Sequence, residues 1–228
     1  MKYEFTGECK KRSFMTNLYE IKEEIWLYEI DGEICEDQYI VSEFYKRDTG
    51  EIVMALVSFG RDYNPDNDDY DAAYNIRDNY GEDVFVFIYD PYDLYLFSVE
   101  YVNAVFKNSD SQTTRDTIIH SLSNLEIEDL KNLFGDKGLF VENNSKVISV
   151  LSFYGSSSDY LTMKMLEKPV SSKVNLITVF MSNDKNNIDK IEAEWELING
   201  FCFMGDFITS FSSDNNLDGL CFTLMSLE

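Results

Sequence analysis

An uneven distribution of acidic side chains is the feature that most constrains this chain. Residues 20–100 carry 22 acidic and 5 basic side chains, a net charge of −17, whereas the other 147 residues together carry a net charge of −6. Like charges that crowd one region repel each other in the folded state, and solubility alone does not require them to be concentrated. The asymmetry therefore predicts a surface that attracts basic proteins, cations or metal ions.

The apolar content indicates that this acidic chain folds. Of its 228 residues, 44% are hydrophobic and 15% are aromatic, more than a disordered acidic tail contains. The longest apolar run, residues 84–89, is far shorter than the roughly 20 residues of a membrane span. A net charge of −23 also repels phosphate backbones and anionic lipids, so we expect no direct binding to nucleic acid or to membranes.

The cysteine and glycine patterns exclude several classes of site. The four cysteines are widely spaced and form no C-x-x-C pair, and a single histidine leaves no zinc-ligand spacing. The N-terminus lacks the basic-then-apolar order of a secretory signal, so we expect a cytoplasmic protein with reduced thiols. No glycine-rich phosphate-binding motif occurs, which disfavours a nucleotide enzyme. We therefore assign no metal and no cofactor.

The hydrophobic pattern predicts an α+β fold, with one or two antiparallel sheets built from hairpins and three or four helices packed on one face. The clearest hairpin joins residues 39–45 to 52–59 through a turn that ends at Gly50. A helix is predicted over residues 69–80 with Gly81 as its stop. A second helix follows capping-box spacing at Ser123 and Glu126 and ends before Gly135. Residues 84–89 are predicted as a buried strand and residues 101–106 as a short helix.

A polar stretch over residues 108–114 predicts the domain organisation. It separates an acidic, β-rich N-terminal half (residues 1–107) from an α+β C-terminal half (residues 115–228), and one continuous domain is the alternative. In the C-terminal half we expect strands over residues 146–154, 160–166, 174–181, 201–211 and 220–227. A helix is expected over residues 184–199, where apolar residues recur every three or four positions.

An acidic, tyrosine-rich segment is the predicted partner-binding site. Carboxylates attract the lysines and arginines of a basic partner, and tyrosine offers contact area at a low cost in conformational entropy. A solvated loop with a helix cap is the alternative interpretation. The residues assigned to this site are Asp62, Tyr63, Asp66, Asp68, Asp69, Tyr70, Asp71, Tyr92 and Asp93.

The spacing of the same carboxylates fits catalysis or metal binding less well. Alternating oxygen ligands from Asp62 onward suit Ca²⁺, but the sixth position of such a loop is Asn67 instead of glycine, and the twelfth is Ala73 instead of glutamate. Asp90 and Asp93 follow a buried strand, where paired carboxylates can hold Mg²⁺. His120 is the only imidazole in the chain, and no nucleophile motif accompanies it. We therefore assign no catalytic residue.

Together these patterns predict a non-enzymatic acidic protein that docks on a basic, nucleic-acid-processing protein and inhibits it, as a mimic of the nucleic acid. An immunity protein against a toxin and a mobile-element protein that blocks a host nuclease or defence system both match this description. One alternative is a metal-dependent hydrolase or nuclease that uses Asp62, Asp66, Asp90 or Asp93. The other is a structural protein whose acidity serves only solubility.

Overall fold

The chain divides into two compact units. The computed structural model describes residues 3–30, 33–58, 77–90, 102–108, 115–135, 146–155, 174–182, 208–214 and 220–227. The first unit comprises Met1–Lys107 and Glu126–Val147, and the second comprises Asn108–Leu125 and Ile148–Glu228. Each unit is built on a β-sheet that mixes antiparallel and parallel neighbours.

The sheet of the first unit has six described strands, which lie side by side in chain order. Neighbours from β1 to β4 pair antiparallel, whereas β4–β5 and β5–β6 pair parallel. β1 therefore lies at an edge of this unit's sheet. The strands are β1 (Tyr3–Met15), β2 (Tyr19–Ile30), β3 (Glu33–Lys46), β4 (Ile52–Ser58), β5 (Phe85–Tyr89) and β6 (Ala104–Asn108).

The predicted hairpin between β3 and β4 is confirmed. Gly50 has φ +71°, and its N–H donates to the carbonyl oxygen of Lys46 at 2.7 Å. A side chain at this position would meet the steric penalty of the left-handed region, which glycine avoids. The turn brings β3 and β4 together in antiparallel register, with Val41 opposite Val57.

The prediction of purely antiparallel sheets is wrong. The connection from Ser58 to Phe85 is long enough for the crossover that parallel neighbours require, and it contains helical residues at 77–80. Residues 53–58 of β4 and all of β5 are buried, as is typical of parallel strands covered on both faces. The error arose because local hydrophobic patterns show which residues form strands but not the direction in which distant strands pair.

The short helix predicted over residues 101–106 is also wrong. Residues 104–108 form β6, and the N–H of Asn103 donates to the carbonyl oxygen of Val86 at 2.7 Å. The residues from Val102 to Phe106 are all buried. A strand buried on both faces shows no two-residue alternation, so its apolar spacing does not distinguish it from a buried helix.

Two complete helices are described, α1 (Arg115–Leu122) in the second unit and α2 (Ile127–Phe134) in the first. The end of α2 before Gly135 is confirmed, but its start is not the predicted one. Glu126 is the N-cap, and its N–H donates to Asp129 Oδ2 at 3.0 Å. Ser123 instead donates from Oγ to the carbonyl oxygen of His120 at 2.9 Å, so it serves the C-terminal end of α1.

The helical segments of the first unit lie on opposite faces of its sheet, contrary to the predicted one-sided packing. Successive residues of a strand point to opposite faces, and the register aligns Glu43 with Val86 but Ser42 with Phe87. Tyr80, in the helical residues 77–80, donates to Glu43. Phe134 of α2 contacts Phe87 instead, at 4.8 Å between ring centroids. The sheet of this unit is therefore covered from both sides.

The face beneath α2 holds an aromatic core. Phe87 lies 5.6 Å from Phe106, and Phe106 lies 6.1 Å from Phe134 in an edge-on arrangement. Phe87 and Phe106 have no exposed surface, and Phe134 is 6% exposed. Edge-on aromatic contacts add to the stabilisation from burial, so this cluster fixes α2 against β5 and β6.

The second unit has four described strands in the order β7–β10–β8–β9, with β8 and β9 parallel. Helix α1 buries Ile118, Ile119 and Leu122. The predicted strand over residues 160–166 and the predicted helix over residues 184–199 lie outside the described residues. In the described parts of the chain, no helix is long and apolar enough to cross a membrane. The strands are β7 (Lys146–Gly155), β8 (Val174–Ser182), β9 (Ile208–Asp214) and β10 (Leu220–Leu227).

Candidate protein-binding surface

The nine residues predicted to bind a partner all lie outside the described residues, within 59–76 and 91–101. The structure does describe the residues that precede and follow these stretches in the chain. Ser58 ends β4 before the first of these stretches, and Arg77 follows it in helical conformation. The residues from Arg77 onward show how the acidic region continues into the folded sheet.

Three exposed carboxylates follow directly. Asp78 lies in the last helical turn, and Glu82 and Asp83 come just after Gly81, whose φ of +67° ends the helix as predicted. The N–H of Gly81 donates to the carbonyl oxygen of Arg77 at 2.9 Å. No ion pair joins Asp78, Glu82 or Asp83 to another described residue. We call these three residues the acidic turn.

The cation nearest to the acidic turn in the chain points inward. Arg77 is 5% exposed, and its Nη1 donates to the carbonyl oxygens of Val84 at 2.6 Å and Gly81 at 3.3 Å. Its Nη2 donates to Asn103 Oδ1 at 2.9 Å, and the same oxygen accepts the N–H of Val86 at 2.8 Å. Arg77 thus fixes the turn to β5 and to the residues before β6.

Burial has the largest effect on the pKa of Arg77. Loss of hydration lowers the pKa of its guanidinium, and the negative charge of Glu82 acts in the opposite direction. The guanidinium is therefore a structural group at the base of the turn, and the carboxylates of Asp78 and Asp83 extend into solvent.

The negative charge of the acidic turn is unfavourable for the helix that ends there. The C-terminal end of a helix carries partial negative charge and is stabilised by cations, not by carboxylates. Asp78, Glu82 and Asp83 all lie at or just beyond such an end. Helix stability therefore does not explain Asp78 and Asp83, whereas the charge of Glu82 favours the charged form of the buried Arg77.

Carboxylates on the outer face of β2 and β3 have a different environment. Glu24 pairs with Lys11, and Glu20 lies 3.8 Å from Lys22 Nζ. Glu43 accepts the hydroxyls of Tyr45 at 2.6 Å and Tyr80 at 2.9 Å. We call this group the paired face, and it comprises Lys11, Glu20, Lys22, Glu24, Glu43, Tyr45 and Tyr80.

Tyr45 of the paired face is held in its neutral form. Burial raises the pKa of Tyr45 to about 12, and the hydrogen bond to Glu43 and the charges of the nearby glutamates act in the same direction. Lys22 Nζ also lies 4.2 Å from the centroid of the Tyr45 ring, within the range of a cation–π contact. The acidic side chains here are therefore largely occupied by neighbours.

A buried carboxylate lies on the opposite face of β2. Glu23 is 1% exposed and accepts hydrogen bonds from Arg12 Nε and from Ser42 Oγ, the latter at 2.9 Å. Arg12, Glu23 and Ser42 are register partners on β1, β2 and β3. Lys11 and Arg12 of the basic cluster thus neutralise part of the acidity of β2.

The acidic turn is not among the residues predicted from the sequence to bind a partner. The sequence predicts residues 69–80 as a helix that ends at Gly81, and it assigns no role to Glu82 and Asp83. The available signal was the accumulation of acidic residues at a helix C-terminus, where cations are expected. The inward orientation of Arg77 has no signature in the local sequence.

The alternative chemistry receives no geometric support from the described residues. Asp90 follows β5 as predicted, but it is 1% exposed, and its N–H donates to the carbonyl oxygen of Phe106 at 2.9 Å. Among the described residues, no three His, Cys, Asp or Glu side chains converge in a way that could hold a metal ion. The carbonyl oxygen of His120 accepts hydrogen bonds from Ser123 and Asn124 at the end of α1.

No known family model matches this sequence, and no curated protein matches it. Among solved structures, a mutant FtsZ from M. jannaschii shares 9% identity over 68% of each chain, with a TM-score of 0.37. An empty FtsZ dimer from M. jannaschii shares 9% identity over 63% of this chain and 53% of that one, with a TM-score of 0.34. CetZ from Methanosaeta thermophila shares 11% identity over 80% and 63%, respectively, with a TM-score of 0.39. Identities of 9–11% and TM-scores of 0.34–0.39 assign neither a family nor a function.

Proposed function

We propose that this chain is a non-enzymatic, cytoplasmic binding protein that docks its acidic region on a basic protein and inhibits it. The basic surface is one that otherwise holds nucleic acid, so the carboxylates compete with phosphates for it. The observation that carries the proposal is the acidic turn, where Asp78, Glu82 and Asp83 are exposed and Arg77 is turned inward.

The charge of the neighbouring sequence extends the same argument. Residues 59–76 contain five aspartates and one arginine, and they enter the described structure directly at Arg77. On the paired face, in contrast, lysines and tyrosine hydroxyls already contact the glutamates, and on the opposite face of β2 Arg12 pairs with Glu23. Among the described residues, the exposed carboxylates that lack an ion pair include those of the acidic turn, and we expect the partner to bind there and at the adjoining residues 62–76.

An acidic surface of this kind acts first on the rate of association. Complementary potentials steer two proteins together and raise the association rate well above that of neutral surfaces, and salt screens this effect. An inhibitor that must reach its target before nucleic acid does would benefit from such steering. Tyr63, Tyr70 and Tyr92 would supply contact area beside the carboxylates.

The test is affinity capture from the native host followed by titration of the captured protein. We expect a basic nucleic-acid enzyme, whose affinity for the chain falls steeply between low and high salt and which double-stranded DNA displaces. Asp78→Asn/Glu82→Gln/Asp83→Asn should weaken binding, and neutralising Asp62, Asp66, Asp68, Asp69 and Asp71 should weaken it further.

The matched control removes three exposed carboxylates elsewhere. Asp48→Asn/Glu51→Gln/Asp116→Asn makes the same change in net charge at exposed residues that are not part of the acidic turn. Binding that is lost equally in both triple variants would show an effect of net charge alone and would contradict a defined surface. Capture of no basic protein, or of one that DNA does not displace, would also contradict the proposal.

A further inference from the structure

A cleft at one end of the first unit's sheet has opposite charges on its two sides. Its volume is about 520 Å³, and it lies between the β1–β2 turn (Asn17, Leu18), the β3–β4 turn (Lys46, Arg47, Asp48) and the start of α2 (Glu126, Glu128). The β3–β4 turn brings two cations and one carboxylate to the cleft, so this side keeps a net positive charge. Volumes in this range are typical of small-molecule sites. The cleft does not include the acidic turn.

The basic side of the cleft is held in place by the two turns. Lys46 is the register partner of Tyr19, so its side chain lies on the sheet face that α2 covers. The N–H of Arg47 donates to the carbonyl oxygen of Leu18 at 3.2 Å, and its Nη1 donates to those of Thr16 at 3.2 Å and Asn17 at 3.4 Å. These bonds join the turns and orient the guanidinium.

The acidic side belongs to α2. Glu126 and Glu128 are exposed, and the Glu126 backbone is fixed by the hydrogen bond of its N–H to Asp129. Tyr19, between the two sides, is 1% exposed. Burial raises the pKa of Tyr19 to about 12, and the charges of Glu126 and Asp129 contribute in the same direction. The carboxylates therefore lie close enough to Tyr19 for their field to act on the cleft.

The two sides do not neutralise each other directly. Lys46 Nζ lies 3.8 Å from Asp48, which also lines the cleft, and both side chains are exposed, so a bound carboxylate would compete with Asp48 for Lys46. Among the described residues, no ion pair within 4 Å joins Lys46 or Arg47 to Glu126 or Glu128. Opposite charges across an open space of this size fit a molecule that carries both charges itself, because each end then meets its complement.

We propose that this cleft binds a small zwitterion, an amino acid or short peptide, whose carboxylate contacts Lys46 and Arg47 and whose ammonium group contacts Glu126 and Glu128. Leu18 and Ile127, both half-buried, supply apolar contacts between the charged ends. The site is independent of the acidic turn, so it can succeed or fail separately from the proposed inhibitory function.

The experiment is isothermal titration calorimetry of the full chain with the dipeptide Ala-Leu. The matched probes are Ala-Leu with its N-terminus acetylated, with its C-terminus amidated, and with both ends blocked. We expect saturable binding of one dipeptide per chain, about tenfold weaker binding after either end is blocked, and no binding after both are blocked.

Substitutions assign the contacts. Lys46→Gln and Glu128→Gln should each weaken binding about tenfold. Lys46→Arg and Glu128→Asp, which keep the charge, should retain most of the affinity and serve if a glutamine variant fails to fold. Lys10→Gln, an exposed change on β1 outside the cleft, should bind as the wild type does.

Three outcomes would overturn the proposal. These are the absence of saturable binding at millimolar dipeptide, equal binding of the free and doubly blocked peptides, and wild-type affinity in both folded glutamine variants. None of them bears on capture of a basic protein by the acidic turn.

Discussion

The acidic turn and the paired face carry the same kind of side chain in opposite circumstances. On the paired face, Glu24 meets Lys11, and Glu43 accepts two tyrosine hydroxyls. In the acidic turn, Glu82 and Asp83 lie exposed, while Arg77 is buried beneath them. Carboxylates on the strands thus take part in holding neighbouring elements together, whereas those of the turn leave their charge available to another molecule.

The largest expected effect on the free energy of unfolding comes from removing the buried carboxylate of β2. Glu23→Ala leaves the fully buried Ser42 hydroxyl and the Arg12 guanidinium without their shared acceptor. We expect the free energy of unfolding to fall by about 3 kcal/mol, measured by urea denaturation. Glu24→Ala, the adjacent change on the exposed side of the same strand, should cost only a small fraction of that because water screens its pair with Lys11. Equal losses in the two variants would contradict a structural role specific to Glu23.

An intermediate effect concerns the tyrosines at alkaline pH. The pKa of Tyr45 is about 12 in the folded chain against 10.0 for an ordinary tyrosine, so the unfolded chain loses this proton first. The contribution of protonated Tyr45 to the free energy of unfolding is complete below pH 10 and is lost as the pH rises through about 12. Urea denaturation across this interval should show a smaller decline in Tyr45→Phe than in the wild type. The triple neutralisation of the acidic turn should leave the decline unchanged; a decline that Tyr45→Phe does not alter would assign it to other tyrosines.

The smallest expected effect is a change in the free energy of unfolding that has opposite signs in the two regions when their carboxylates are neutralised. Asp78→Asn/Glu82→Gln/Asp83→Asn removes like charges from a helix C-terminus, so the free energy of unfolding should rise by about 0.5 kcal/mol at low ionic strength. The gain should shrink as salt is added. Glu20→Gln/Glu24→Gln, on the paired face, should lower it instead. A loss of stability in the triple variant would mean that the acidic turn contributes to the fold, as the paired face does.

Local features were predicted from the sequence where a single residue type imposes its geometry. Gly50 and Gly81 mark the turn and the helix end because their backbone angles suit glycine. The apolar run at residues 84–89 forms the buried strand β5. The predicted binding residues from Asp62 to Asp93 lie outside the described residues, so that assignment stays a prediction.

Predictions that depended on distant pairing were wrong. Nothing near Phe85 indicates that β5 lies parallel to β4, because the direction is decided by a connection that crosses the sheet. The helix predicted over residues 101–106 is replaced by β6 for a related reason. Val105 and Phe106 point to opposite faces of the sheet and are both buried, so the apolar pattern does not show the alternation of a strand. The predicted packing of helices on one face was wrong, because Tyr80 contacts Glu43 on one face of the sheet and Phe134 contacts Phe87 on the other.

By itself, the amino-acid sequence determined where the turns, several strands and the excess of negative charge lie along the chain, since these depend on residue types and their neighbours. Only the tertiary structure decided which charges are paired. Arg12 reaches Glu23 because strand register places them side by side, and Arg77 turns away from Asp78 because the carbonyl oxygen of Val84 and the side chain of Asn103 lie beneath it. Register and crossover connections bring together residues far apart in the chain, so the partner of a charge is a property of the fold.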